Sequence, residues 1–333
     1  MWGDVGQDWQ PDVLGDRFEQ LTLPLGIDGE GDVVATLVRH KGRPRLTPGL
    51  GVDVLYVHGW SDYFFNRELA DFWTRRGARF FALDLRKYGR SIRPGQTPGF
   101  ITSLDDYDAD IEAALDAMGH GLPGSGADCS RGRPLVLLGH STGGLTLSLW
   151  ASRHPGRAAA LILNSPWLEF QATGLARGAI TPLVGLHARV DPKAELPSVD
   201  AGFYARSVDK AQSGYWEYNQ EWRPLRAFPT HPAWLAAVLA GHAKVQAGLS
   251  IDVPVLTLIS ARSTFATRWS DDMLSSDIVL VVDDIARRAL KLGPTVTIDR
   301  IDGAIHDVFL SAPEPRARAY AAVASWLAGY APR

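Results

Sequence analysis

Hydrophobic positions along this 333-residue chain follow two alternating rhythms. Short apolar runs rich in β-branched residues read as strands, and longer stretches with apolar residues three and four positions apart read as helices. Segments 18–25 and 33–40 alternate apolar and polar residues around a glycine-rich turn at 29–31, which predicts an antiparallel hairpin at a sheet edge. From position 52 the pattern becomes strand, then helix: a mostly apolar strand at 52–57, a helix at 67–76, a strand at 80–85, and a helix at 103–118 with Thr102 or Ser103 as N-cap and acidic residues in its first turn. A strand at 134–138 follows, then a helix at 142–154 closed by Pro155 and Gly156, and a buried strand at 159–163. The order returns later with a strand at 253–259, a helix at 283–292, a strand at 295–301 and a closing helix at 316–329. This alternation predicts an α/β fold whose mostly parallel central sheet carries helices on both faces.

Between 166 and 250 the rhythm fails, and the stretch holds many Gly, Pro and aromatic residues, among them Trp167, Tyr215, Trp216, Tyr218, Trp222 and Trp234. We read it as an inserted helical cap on a core formed by 1–165 and 251–333. With 46% hydrophobic residues the chain can bury a large core, and a net charge of −3 without a long basic run argues against a nucleic-acid partner. No apolar run approaches the roughly 18 to 20 residues of a membrane span. The first twenty residues carry Asp4, Asp8, Asp12 and Asp16 and no basic start followed by an apolar stretch, so a cytoplasmic protein without a signal peptide is expected. The single cysteine, Cys129, has no partner for an internal disulfide and lies in a loop-like segment. There is no H-E-x-x-H, no cysteine pair and no histidine cluster with ligand spacing, so neither metal nor cofactor is expected. The oligomeric state is not legible.

One segment carries chemistry. Gly139-His140-Ser141-Thr142-Gly143-Gly144 fits G-x-S-x-G, directly after the apolar strand and at the opening of the next helix. A serine on so sharp a strand-to-helix turn is forced into strained backbone angles, and glycines on either side keep neighbours from clashing. Its hydroxyl then stands clear of the sheet, facing the free N–H groups and positive dipole end of the helix. Ser141 is thus the candidate nucleophile, and Thr142, which follows it, a candidate backbone donor to an oxyanion.

This segment, together with His58-Gly59-Trp60-Ser61-Asp62-Tyr63 and Ala82-Leu83-Asp84-Leu85-Arg86-Lys87-Tyr88-Gly89-Arg90-Ser91, resembles the α/β-hydrolase superfamily, and within it the monoglyceride lipase, lysophospholipase and S33 peptidase-like branch. The resemblance spans most of the chain outside the cap. It implies the α/β-hydrolase fold, a second oxyanion N–H from Trp60, and a loop-bracing role for His58. Asp84 and Arg86 read as loop anchors.

In that fold the triad runs serine, acid, histidine, so the base lies past the last strand. His306 stands there, while His154 closes a helix and His187, His231 and His242 belong to the cap. The acid departs from the family pattern. After 255–259 comes Ser260-Ala261-Arg262-Ser263-Thr264-Phe265, with no carboxylate. Asp277, in a later stretch resembling the family's acid loop after an insertion, is the choice, with Asp271 and Asp272 as rivals.

The resemblance implies a serine hydrolase that cleaves carboxylic esters, lipid-like or aryl, through an acyl-enzyme, with a small-molecule ester as partner and water as co-substrate. The cap aromatics suit an apolar pocket and suit a small core of their own equally well. Glu169, Glu195, Glu217 and Glu221 keep open an aminopeptidase or amidase reading, in which cap carboxylates hold a free amine. A non-hydrolytic ligand-binding or perhydrolase-like member of the fold is the third reading. Epoxide hydrolase and dehalogenase chemistry fits poorly, because Ser141 stands where those enzymes use aspartate.

Overall fold

Strands buried on both faces need helices on both faces, and the interior strands of this protein are mostly apolar for that reason, with their polar residues chiefly at the strand ends. The computed structural model describes residues 7–42, 49–121, 132–171, 174–197 and 201–330; Cys129 lies outside them. Nine strands form one sheet: β1 (Gln10–Pro11), β2 (Phe18–Asp28), β3 (Gly31–His40), β4 (Asp53–Val57), β5 (Arg79–Asp84), β6 (Leu135–His140), β7 (Ala160–Asn164), β8 (Val255–Ser260) and β9 (Val296–Ile301). Their order is β1-β2-β3-β5-β4-β6-β7-β8-β9. Pairing is antiparallel from β1 through β5 and parallel from β5 onward. The edge hairpin is the one predicted, extended inward to a tighter turn between Asp28 and Gly31.

In β6 the alternation of a strand divides the core. Leu135 and Leu137 join one apolar cluster with Leu145 and Leu149 of α3 (Thr142–Arg153), while Val136 and Leu138 join the other with Leu69 and Trp73 of α1 (Arg67–Arg75). The helix α2 (Tyr107–Met118) is entered through a short 3-10 turn capped by Ser103, whose hydroxyl and Asp106 form a reciprocal capping box.

Chain order decides where a site can form. From β4 the chain moves outward to β5, then crosses back to place β6 on the other side of β4. Connections diverge at this switch point and leave a crevice at the carboxyl ends of the strands. The turn after β4 and the turn after β6 both open there. Between β7 and β8 the chain leaves the sheet and contributes α4 (Gly174–Val190), α5 (Phe203–Val208) and α6 (Pro232–Ala247). Trp234 and Val238 of α6 pack into the same cluster as α3. The helix predicted at 283–292 is α7 (Val282–Ala289), and the last is α8 (Pro313–Tyr330). Among the described residues no helix is long and apolar enough to cross a membrane.

Candidate active site

Ser141 sits between β6 and α3 with φ 51° and ψ −117°, a sparsely populated conformation for a residue with a side chain. The glycines around it show why the turn tolerates nothing larger. A Cβ on Gly143 would stand 2.2 Å from the His58 carbonyl oxygen, and one on Gly139 would stand 2.7 Å from that of Gly143. Gly59 lies against Ser141 itself, since its Cβ would come within 3.0 Å of the serine Cβ. The turn after β4 and the start of α3 are therefore in backbone contact. Neither the Trp60 N–H nor the Thr142 N–H donates to another group among the described residues.

His306 follows β9 and is buried. Its Nε2 lies 3.1 Å from Ser141 Oγ, and its Nδ1 lies 2.9 Å from Asp277 Oδ2. A carboxylate only accepts, so Nδ1 carries the proton and Nε2 is left to accept from the serine hydroxyl. The loop around His306 is braced from below. Asn164 Nδ2 donates to Asp307 Oδ1 at 2.6 Å, and the Val308 N–H donates to Asn164 Oδ1 at 3.0 Å. Burial pushes His140, whose ring is 4.9 Å from that of His306, down to about 4, so it stays neutral beside His306.

Asp277 reaches His306 in spite of the insertion. Its backbone pairs with the stretch just after β8: the Asp277 N–H donates to Arg262 O at 3.0 Å and the Thr264 N–H to Asp277 O at 2.9 Å. The intervening residues loop out, and the carboxylate returns to the end of β8. Oδ1 accepts the Val279 and Leu280 N–H groups, both at 2.8 Å, which leaves Oδ2 for the imidazole. Asp271 and Asp272 lie exposed on a 3-10 turn.

The other histidines weighed above, His187 apart, are engaged elsewhere. His58 is fully buried, donates through Nδ1 to Gly59 O at 2.7 Å and accepts the Leu85 N–H at Nε2 at 3.1 Å; burial holds it below its ordinary range. His154 stacks on Trp150, His231 meets the Lys193 carbonyl, His242 meets the Trp167 carbonyl, and His187 is exposed. Asp84 and Arg86 anchor loops, on Arg90 and Asp110 respectively.

Ser141 and His306 open onto a cavity of about 690 Å³. Trp60, Trp167, Phe170, Tyr204, Phe228 and Trp234 line it, so aromatic residues of 166–250 form walls, while Trp216 and Trp222 pack against the core. None of the four glutamates considered above is among the lining residues. Glu169 is buried against Arg288.

Sequence reasoning missed one pair. Asp62 and Arg223 are both buried, both line the cavity, and lie 3.0 Å apart from carboxylate oxygen to Nε. Burial pushes the Asp62 carboxyl up to about 7, although Arg223 pulls it down. Asp62 could have been noticed from its place just after the His58-Gly59-Trp60 turn; Arg223 had no local signal.

The family described as serine aminopeptidase, S33 matches residues 52–310. A non-heme haloperoxidase of Rhodococcus erythropolis is 33% identical over 119 residues, which are 34% of this chain; the match spans only 37% of that relative's length. Among solved structures, the monoacylglycerol lipase of Paleococcus ferrophilus superposes with a TM-score of 0.60 at 19% identity, covering 84% of this chain and 94% of its own. A soluble variant of monoglyceride lipase from Saccharomyces cerevisiae, in complex with a substrate analog, also gives 0.60 at 16% identity, with 93% and 96% covered. At these identities the superpositions establish a shared fold.

Proposed function

This chain belongs to the serine aminopeptidase S33 family of the α/β-hydrolase fold, and from that premise we propose that it is a serine hydrolase cleaving carboxylic esters through an acyl-enzyme. The observation that carries the reading is the relay from Ser141 Oγ through His306 to Asp277, at 3.1 and 2.9 Å. His306 Nε2 takes the hydroxyl proton as Ser141 Oγ attacks the ester carbonyl, and Asp277 stabilises the imidazolium that forms. The Trp60 and Thr142 N–H groups hold the charge that develops on the carbonyl oxygen, and losing one such donor costs about 3 kcal/mol of barrier. The imidazolium returns its proton to the leaving alcohol. Water, activated by the same His306, then releases the acid.

In this reading residues 166–250 act as a cap over the core 1–165 and 251–333, and their aromatic walls take the apolar part of a small-molecule ester. Ester cleavage is preferred to aminopeptidase action because, among the described residues, no glutamate lines the cavity to receive a free amine, and the one carboxylate that does line it, Asp62, already faces Arg223. The test is labelling with a fluorescent fluorophosphonate, mapped by mass spectrometry, beside hydrolysis of p-nitrophenyl esters from acetate to palmitate. The expected result is a single adduct on Ser141 with ester turnover, and loss of both in Ser141→Ala. An adduct on another residue, or an active Ser141→Ala enzyme, overturns the reading.

A further inference from the structure

Within the cavity that Ser141 and His306 share, Arg223 is the only lysine or arginine lining it among the described residues. Its side chain is 5% exposed, and its Nη1 is buried without a hydrogen-bond partner. The guanidinium packs beside Tyr204 and Tyr218, 5.2 and 4.6 Å from the ring centroids; the Tyr218 hydroxyl interacts with it, while the Tyr204 hydroxyl is buried and unpartnered. Tyr204 also touches His306, with ring centroids 5.3 Å apart, so one aromatic ring separates the guanidinium from the base.

A merely structural role would be to latch the 219–228 loop onto the turn after β4, but the neighbours of Asp62 already do that. Tyr63 Oη accepts the Asn219 N–H at 2.7 Å, and Ser61 Oγ accepts the Phe228 N–H at 3.0 Å. A guanidinium donor left unmade, in a buried residue that lines the cavity, is unfavourable until water or a ligand completes it.

We propose that Arg223, with Tyr204 beside it, is a carboxylate-binding subsite, and that the substrate is an ester bearing a second, free carboxylate. The planar guanidinium offers directed N–H donors that match a carboxylate's two oxygens. Asp62, 3.0 Å from Nε, keeps the subsite close to neutral overall, which suits a monoanion and disfavours a doubly charged phosphate. Burial pushes the Asp62 carboxyl up to about 7, so the pair can take up a proton as the second carboxylate enters. The chemistry at Ser141 is unchanged: the ester bond is hydrolysed and the distal carboxylate only binds.

The inference rests on the ester-hydrolase reading, and the experiment separates the two. Mono-p-nitrophenyl esters of succinic, adipic and suberic acid are compared with p-nitrophenyl alkanoates of matching length, which puts the carboxylate on the acyl side. The butyrate ester of 4-hydroxybenzoate against phenyl butyrate puts it on the alcohol side. In the wild type, kcat/KM for at least one charged ester should exceed that of its neutral partner by about tenfold or more. In Arg223→Gln that ratio should fall to about one or below. Because this substitution leaves Asp62 buried alone, the double variant Asp62→Asn with Arg223→Gln is read in parallel and should lose the preference as well. A wild type that hydrolyses the neutral esters but disfavours every charged one, or a ratio that both variants leave unmoved, overturns the subsite. Calorimetric titration of Ser141→Ala with monomethyl adipate reads the subsite without chemistry: binding there, absent when Arg223→Gln is added, supports it even if no ester turns over, and absence of binding in Ser141→Ala counts against it.

Discussion

Ser141 and Asp277 are held by opposite means. The serine is fixed by backbone strain, at φ 51° between two segments in backbone contact, whereas the aspartate is fixed by satisfied hydrogen bonds. With Oδ1 occupied by the Val279 and Leu280 N–H groups, an asparagine at 277 would keep its amide oxygen on those donors and turn its NH₂ toward His306. Nδ1 must then accept, the proton moves to Nε2, and the imidazole cannot take one from Ser141. Asp277→Asn should lower kcat by about 10⁴-fold with little change in folding, as expected when the wrong tautomer is enforced. Asp271→Asn and Asp272→Asn, on the exposed turn, should stay near wild type. Steady-state ester hydrolysis and far-UV circular dichroism check this, and a damaging change at 271 or 272 instead would move the acid there.

Among elements, α3 is the one on which the proposed site depends, because its first turn sets the serine's position and carries the proposed Thr142 N–H donor. That turn approaches β4 closely only because position 143 has no side chain. Gly143→Ala sets a Cβ 2.2 Å from His58 O and 2.5 Å from Val57 O, both backbone atoms that cannot swing away. The helix must withdraw, which should destabilise the protein by about 3 kcal/mol and lower kcat further by displacing the Thr142 donor. Gly329→Ala, in α8 with nothing within 4 Å of its Cβ, is the control and should be neutral or slightly stabilising. Urea midpoints with kcat on the folded variants decide it; a Gly143→Ala protein as stable and active as wild type would refute the close-approach argument. Elements such as β6 and α3 were legible because a continuous apolar run, a glycine-flanked turn and a Pro-Gly stop all agree at one place. Segment 166–250 was not, since α6 is apolar on nearly every side and offers no periodic contrast. The loop of Asp277 was half legible: the residue stands in a recognisable stretch, but only the pairing of its backbone with 262–264 explains how it returns to β8. Arg223 was invisible, because its meaning comes from the docking of 219–228 on 61–63 and from no pattern around it.

Across the whole molecule the sheet has two unlike ends. At the carboxyl ends of β4 and β6 lie the strained turns and the cavity; at the amino ends lies a charge cluster centred on Asp53. That carboxylate is fully buried and accepts from Arg79 Nε at 2.6 Å, Arg133 Nε at 2.7 Å and His120 Nε2 at 2.8 Å, thereby joining the starts of β4 and β5, the end of α2 and the approach to β6. Burial raises the Asp53 carboxyl, but its hydrogen bonds from Arg79, His120 and Arg133 outweigh that and hold it down at about 2, below its ordinary value of 3.8. A carboxyl whose value in the folded chain is depressed stabilises the fold above its unfolded value and loses that contribution as pH falls toward the folded one. The contribution is about 2 kcal/mol, present in full above about pH 5 and lost between about pH 4 and 2. Asp53→Asn keeps the shape and removes the charge, so its urea midpoint should lie below the wild-type midpoint at pH 5 to 7, and the two should converge as pH approaches 2. Because the cluster stands at the opposite end of the strands from Ser141, kcat at neutral pH should be unchanged in the folded variant. A midpoint difference that does not vary with pH would mean that packing at Asp53 matters and its charge does not; a fall in kcat would mean that the two ends of the sheet are coupled through β4 and β6.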